Sequence, residues 1–155
     1  MIMSVRYLIL MGTLFVGGNT VVEGQEITQG DKQLPMAGES FQFNGHDAFL
    51  IIPERKINPM PWVWYAPTLK NLPGREEVWM FKRFLEEGIA IAGIDVGESY
   101  GSPKGTETYG DFYQYLTADR GLSQEPVLLA RSRGGLMLYN WAVINPAKVK
   151  AIAGI

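Results

Sequence analysis

The sequence predicts an α/β fold in which an N-terminal antiparallel hairpin leads into a mostly parallel sheet with flanking helices. Three observations carry that prediction. Apolar runs at 62–65, 89–94, 127–130 and 149–155 have the length of buried strands. Between them, segments at 76–87, 111–118 and 134–144 repeat their apolar residues at helical spacing. Strand and helix alternating in such short order require crossover connections, which make neighbouring strands parallel.

Residues 1–24 have the order of a secretory signal peptide: Arg6, an apolar stretch over 7–16, then small residues leading to V-E-G before Gln25. Cleavage after Gly24 and a secreted or periplasmic protein are the expectation; a buried N-terminal helix is the plain alternative. The apolar stretch falls short of the roughly 18 residues that a spanning helix needs, so no stable membrane span is expected. Residues 25–38 are polar, contain Gly30 and Pro35 and lack periodicity, which predicts a flexible, exposed lead-in to a domain over 39–155.

That domain opens with alternation at 41–43, the hairpin signal Asn44-Gly45, and an apolar return over 48–52 that stops at Pro53. Pro67 ends the strand 62–65. In the helix 76–87, acids stand at the start, Val78, Phe81, Phe84 and Leu85 recur along one face, and Gly88 stops it. Residues 95–110 hold Gly97, Gly101, Pro103, Gly105 and Gly110, a composition that predicts a long loop at the carboxyl end of a strand, the side on which open α/β sheets bind ligands. Phe112, Tyr115 and Leu116 mark the next helix. Leu136, Tyr139, Asn140 and Val143 mark the last, and Asn145-Pro146 closes it. Trp62, Trp64, Trp79 and Trp141 read as core and helix-packing residues.

A length of 155 residues, 46% hydrophobic and 19% charged, is ordinary for one domain with a real core. A net charge of −2 with scattered basic residues offers no stripe to follow a phosphate backbone, so no nucleic-acid partner is expected. The absence of cysteine excludes a disulfide framework, a zinc ribbon and a thiol nucleophile. The lone histidine, His46, argues against a histidine-built metal site and reads as a polar turn residue.

Between the strand ending at Ala130 and the helix beginning near Gly134 stands A-R-S-R-G-G, with Ser132 at its tip. A serine held at positive φ on a sharp strand-to-helix turn needs small residues two positions to either side, because the backbone there approaches its neighbours closely. Such strain, about 1–3 kcal/mol, would expose the hydroxyl and aim the Arg133 N–H from the positive end of a helix at a developing oxyanion. An ordinary helix-capping serine is the alternative.

The turn resembles the nucleophile elbow G-x-S-x-G of the α/β-hydrolase superfamily, with Ala130 in place of the first glycine. G-I-D-V-G-E-S-Y-G-S-P over 93–103 is similar to that family's strand-end loop, and the resemblance spans 41–155. It implies an incomplete α/β-hydrolase fold and a serine hydrolase of esterase or peptidase type. Such an enzyme needs no cofactor and acts on a small-molecule ester or peptide through an acyl-enzyme on Ser132. A second oxyanion donor would come from the turn after the strand 62–65; Pro67 has no N–H, leaving Thr68 or Leu69.

The family orders its triad as Ser, then Asp or Glu, then His, yet no Asp, Glu or His follows Ser132. The expectation is a piece of a longer protein, whose later part carries the acid and the base, and no turnover by these residues alone.

Arg131 and Arg133 could clamp a substrate anion, or make local salt bridges. Asp95 and Glu98 could form an acid pair for glycoside cleavage; tying the loop through backbone N–H groups is the preferred reading. Tyr65 and Tyr100 are expected to line the pocket, Tyr65 offering its hydroxyl to an oxyanion. Two other functions stay open: a phosphate or nucleotide cradle built on R-S-R-G-G, weakened by the absence of a P-loop lysine and of G-x-G-x-x-G, and a catalytically silent binding domain.

Overall fold

The computed structural model describes residues 20–22 and 25–155. Residues 1–19 and 23–24 lie outside the described residues, and with them the signal peptide and its cleavage point.

One mixed sheet organises the chain. It contains β1 (Thr20–Val22), β2 (Gln25–Gln29), β3 (Glu39–Phe43), β4 (His46–Ile51), β5 (Trp62–Tyr65), β6 (Ala90–Ile94), β7 (Val127–Ala130) and β8 (Ala151–Gly154), in the order β1-β2-β3-β4-β6-β5-β7-β8. The first four strands and β6 pair antiparallel; β6, β5, β7 and β8 run parallel. The hairpin β3–β4 turns at Asn44 and Gly45, both at positive φ (49° and 78°), as that dipeptide demands. One expectation is corrected here. Gln25–Gln29 is a strand of the sheet, paired with β3 from Ile27 to Gln29, so part of the supposed lead-in is ordered by main-chain pairing that its polar side chains do not advertise.

The helices are α1 (Val78–Glu86), entered through a 3-10 turn at Arg75–Glu77, α2 (Pro103–Ala118) and α3 (Gly134–Ile144). β5 shows why both faces are covered. Trp62 and Trp64 point into a core shared with Phe112 and Tyr109 of α2 and Trp141 of α3, while Val63 and Tyr65 face Phe81 of α1. Strands buried on both sides read as the continuous apolar runs seen in the sequence.

Four details differ from expectation. Helix α2 begins at Pro103, not near Asp111: Ser102 caps it by accepting the Gly105 N–H at 3.3 Å, and proline suits the first turn. Of the four glycines assigned to a long loop, only Gly97 and Gly101 do loop work, at φ 63° and 75°. In α3, Leu136, Tyr139, Asn140 and Val143 form the exposed stripe, and Met137, Leu138 and Trp141 the buried one. A helix apolar almost all round permits either stripe to be drawn, and only packing chooses. Trp79 is 72% exposed, on the outer face of α1 with the Arg83 guanidinium 5.9 Å from its ring, and is not a core residue.

From β5 the chain crosses through α1 to β6; from β7 it crosses through α3 to β8, on the other side in the strand order. The carboxyl ends of β5 and β7, adjacent strands, therefore form a point where the winding reverses, and open α/β sheets bind ligands there.

Candidate active site

Ser132 stands at that point, between β7 and α3, at φ 48° and exposed. Its amide donates to the Ile155 carbonyl at 3.1 Å and its carbonyl accepts the Gly135 N–H at 3.0 Å, so the backbone of the turn is held from both sides. The hydroxyl has no hydrogen-bond partner among the described residues. Of the two glycines after the turn, Gly134 is required and Gly135 is not. A Cβ on Gly134 would come within 2.6 Å of the Ala66 carbonyl oxygen, and one on Gly135 would lie 3.5 Å from the Ala130 Cβ.

A hollow of about 200 Å³ opens beside Ser132, lined by Tyr65, Ala66, Thr68, Leu69, Leu72, Arg131, Ser132 and Arg133. Six residues named from the sequence meet in it: Ser132, Arg133, Thr68, Leu69, Arg131 and Tyr65. The N–H groups of Arg133, Thr68 and Leu69 have no acceptor among the described residues. Arg133 caps α3, where the helix dipole is positive. The arrangement can offer backbone donors from two elements to one negative charge.

The side chains of the two arginines are already committed. Arg131 forms an ion pair with Glu77, whose carboxylate is 2% exposed, and donates to the Tyr65 hydroxyl at 3.3 Å. Arg133 pairs with Glu98 across the loop after β6. Local salt bridges, not a free clamp, describe both. The Tyr65 hydroxyl in turn donates to Glu77 Oε1 at 3.3 Å, so it is engaged below the hollow and not offered to an oxyanion. Burial raises the Tyr65 phenol above its ordinary range, with the Arg131 charge pulling the other way.

Tyr100 does not line the hollow. It is 55% exposed at φ 51°, and its hydroxyl donates to Glu98. That bond is the main reason its phenol is held above its usual range. Asp95 ties its loop as preferred, accepting the Gly97 N–H at 2.9 Å. His46 starts β4 with its Nδ1 3.2 Å from the Asp95 carbonyl. Three strand spacings, about 14 Å, separate β4 from β7, too far for His46 to serve Ser132 as a base. No group of three or more His, Cys, Asp or Glu suited to a metal ion occurs among the described residues.

Sequence reasoning missed Glu77 and Lys32. Glu77 was legible only as an acid in a helical first turn, and Lys32 only as a polar lead-in residue. Their burial comes from contacts distant in sequence, and no local signal announces it.

No family model and no curated protein matches the chain. Solved structures do. Est1E from Butyrivibrio proteoclasticus is similar with a TM-score of 0.61 at 17% identity, over 76% of this chain and 49% of its own. A putative carboxylesterase from Lactobacillus plantarum gives 0.57 at 14%, over 84% and 59%. An S-formylglutathione hydrolase from Agrobacterium tumefaciens gives 0.56 at 14%, over 88% and 60%. The chain therefore spans about half to three fifths of the length of these proteins. Together with the strand order and the strained serine turn, the likeness establishes that this chain has the fold of the N-terminal part of the α/β-hydrolases.

Proposed function

We propose that the chain supplies the nucleophile and oxyanion-binding part of a serine hydrolase of esterase or peptidase type. The observation that carries this reading is Ser132: a non-glycine residue at φ 48°, its hydroxyl exposed beside unpaired amides at the reversal point of the sheet. Asn44 and Tyr100 share such a φ, but Ser132 alone of the three lines this hollow.

In the proposed reaction Ser132 Oγ attacks a substrate carbonyl carbon and gives up its proton to a general base. The carbonyl electron pair moves onto oxygen, where the N–H groups of Arg133 and of Thr68 or Leu69 receive it. Collapse expels the alcohol or amine, which takes the proton, and leaves an acyl-Ser132 that water cleaves by the same steps. The base is a histidine oriented by an acid. In this fold both follow the serine in chain order, and residues 133–155 hold no Asp, Glu or His. The substrate is a small-molecule ester or a peptide.

The phosphate-cradle alternative loses its two cations, since Arg131 and Arg133 are each paired with a glutamate. A fluorophosphonate probe tests the reading directly. The full gene product is expected to be labelled covalently and its Ser132→Ala variant not at all, while residues 1–155 alone turn over no ester. Equal labelling of both proteins, or of neither, removes the reading.

A further inference from the structure

Among the described residues only two charged side chains are buried, Lys32 and Glu77, each with 2% of its side chain exposed. Burying a charge is expensive, and well-packed apolar residues usually hold a fold at lower cost. Both charges nevertheless meet the same stretch of backbone, residues 66–74, which carries Thr68 and Leu69. Lys32 Nζ reaches it from the segment after β2 and donates to the Lys70 carbonyl at 2.9 Å, with Asp95 Oδ2 at 3.9 Å. Glu77 closes the stretch at both ends. Its Oε2 accepts the Gly74 N–H at 2.7 Å, and its Oε1 accepts the hydroxyl of Tyr65, the residue just before the stretch.

The same Oε1 also receives Arg131, which precedes Ser132 in the chain. One carboxylate thus fixes the loop and the nucleophile turn relative to each other. Ala66, Pro67 and Pro73 are buried and Leu72 packs against the α1-side core, but the loop has a single internal backbone bond, Leu72 N–H to Leu69 carbonyl at 3.0 Å, to order its polar backbone. An oxyanion donor acts only where its N–H already points at the place the charge will appear, so an unsupported loop would be of little use.

We propose that Lys32 and Glu77 are positioning residues that hold the 66–74 loop from two sides, so that the Thr68 and Leu69 amides face Ser132. This rests on the serine-hydrolase reading. Burial keeps the Lys32 ammonium below its usual range, while Asp95 and Asp47 pull it back up, in keeping with a charge retained for its geometry.

The test uses the full gene product with Glu77→Gln, with Lys32→Met, which leaves the Arg131 ion pair untouched, and with Leu116→Ala as a core variant of the opposite face. Two readouts are taken: amide hydrogen exchange over 66–74, and the fluorophosphonate reaction at Ser132 separated into kinact and KI. In each loop variant exchange over 66–74, read at its two bonded amides Leu72 and Gly74, should quicken by about tenfold or more. The kinact should fall by about ten- to a hundredfold, with KI held within about twofold. Leu116→Ala should change neither pattern, although it lowers Tm. Unchanged exchange over 66–74 in both variants overturns the proposal, as does quickened exchange with undiminished kinact. A wild-type protein that never labels also removes it, and the exchange data then distinguish failure of the hydrolase reading from failure of the loop contacts.

Discussion

Trp64 and Tyr65 are neighbours on β5, yet they enter different chemistry. Trp64 faces α2 and α3, where the rings of Trp62, Tyr109, Phe112, Tyr113 and Trp141 have centroids 4.8–6.4 Å from its own. Tyr65, turned the other way at the strand end, has Glu77 and Arg131 on its hydroxyl. The aromatic layer gains free energy from area removed from water and buries no charged side chain, its polar cost being the unpaired N–H groups of Trp64 and Trp141. The strand end contains a buried ion pair, a positive-φ serine and unpaired amides, all of them costs. The difference teaches that one region supplies the stability that the other draws on to hold a strained and polar geometry.

The sharpest way to break that division is Trp64→Ala. Loss of a fully buried indole should lower stability by about 3–5 kcal/mol, a large part of what a domain of this size possesses. Urea unfolding of the gene product should show the midpoint collapsing, and a loss under about 1 kcal/mol would mean that the aromatic layer is not the stabilising region.

A pair of identical substitutions sharpens the same contrast. Gly110 lies within α2 with nothing inside 4 Å of its missing Cβ, so Gly110→Ala should raise stability by about 0.8–1 kcal/mol through helix propensity. Gly134→Ala carries the same propensity gain but sets a methyl group 2.6 Å from a backbone oxygen that cannot swing away. Overpacking of about 1–3 kcal/mol should outweigh the gain, lowering Tm and, by displacing the turn, the rate of labelling at Ser132. Two changes of the same sign in Tm would show that the strand end is not the tightly packed region described.

Much of this was legible in the sequence because it depends on local rules. The strands at Trp62–Tyr65 and Val127–Ala130 and the helix Gly134–Ile144 have the bounds that their apolar runs predict. The sharp turn at Ser132 follows from small residues around it, and Thr68 and Leu69, the two residues proposed as second donor, line the same hollow. What escaped depends on distant partners. Gln25–Gln29 becomes a strand because β3 offers an edge, and the exposed stripe of α3 cannot be told from the buried one without its neighbours. Glycines at 105 and 110 resemble loop punctuation until Ser102 caps the helix that contains them. The charges of Lys32 and Glu77 look like solvated surface until the fold closes over them.

The smallest expected effect isolates the strain itself. At φ 48° a side chain with a Cβ costs about 1–2 kcal/mol relative to glycine. Glycine in turn loses about 0.4–1 kcal/mol more unfolded-state entropy on folding. The strain term is the larger, so Ser132→Gly should stabilise the protein by about 0.5–1 kcal/mol, read as a higher urea midpoint at unchanged m. The hydroxyl makes no hydrogen bond among the described residues, so its removal leaves no buried partner unsatisfied to offset that gain. Ser132→Ala keeps the Cβ and should show no such increase, which separates relief of the backbone from loss of the hydroxyl. A midpoint that falls in the glycine variant would mean that the bend is not under strain, and the physical ground for regarding Ser132 as a displayed nucleophile would go with it.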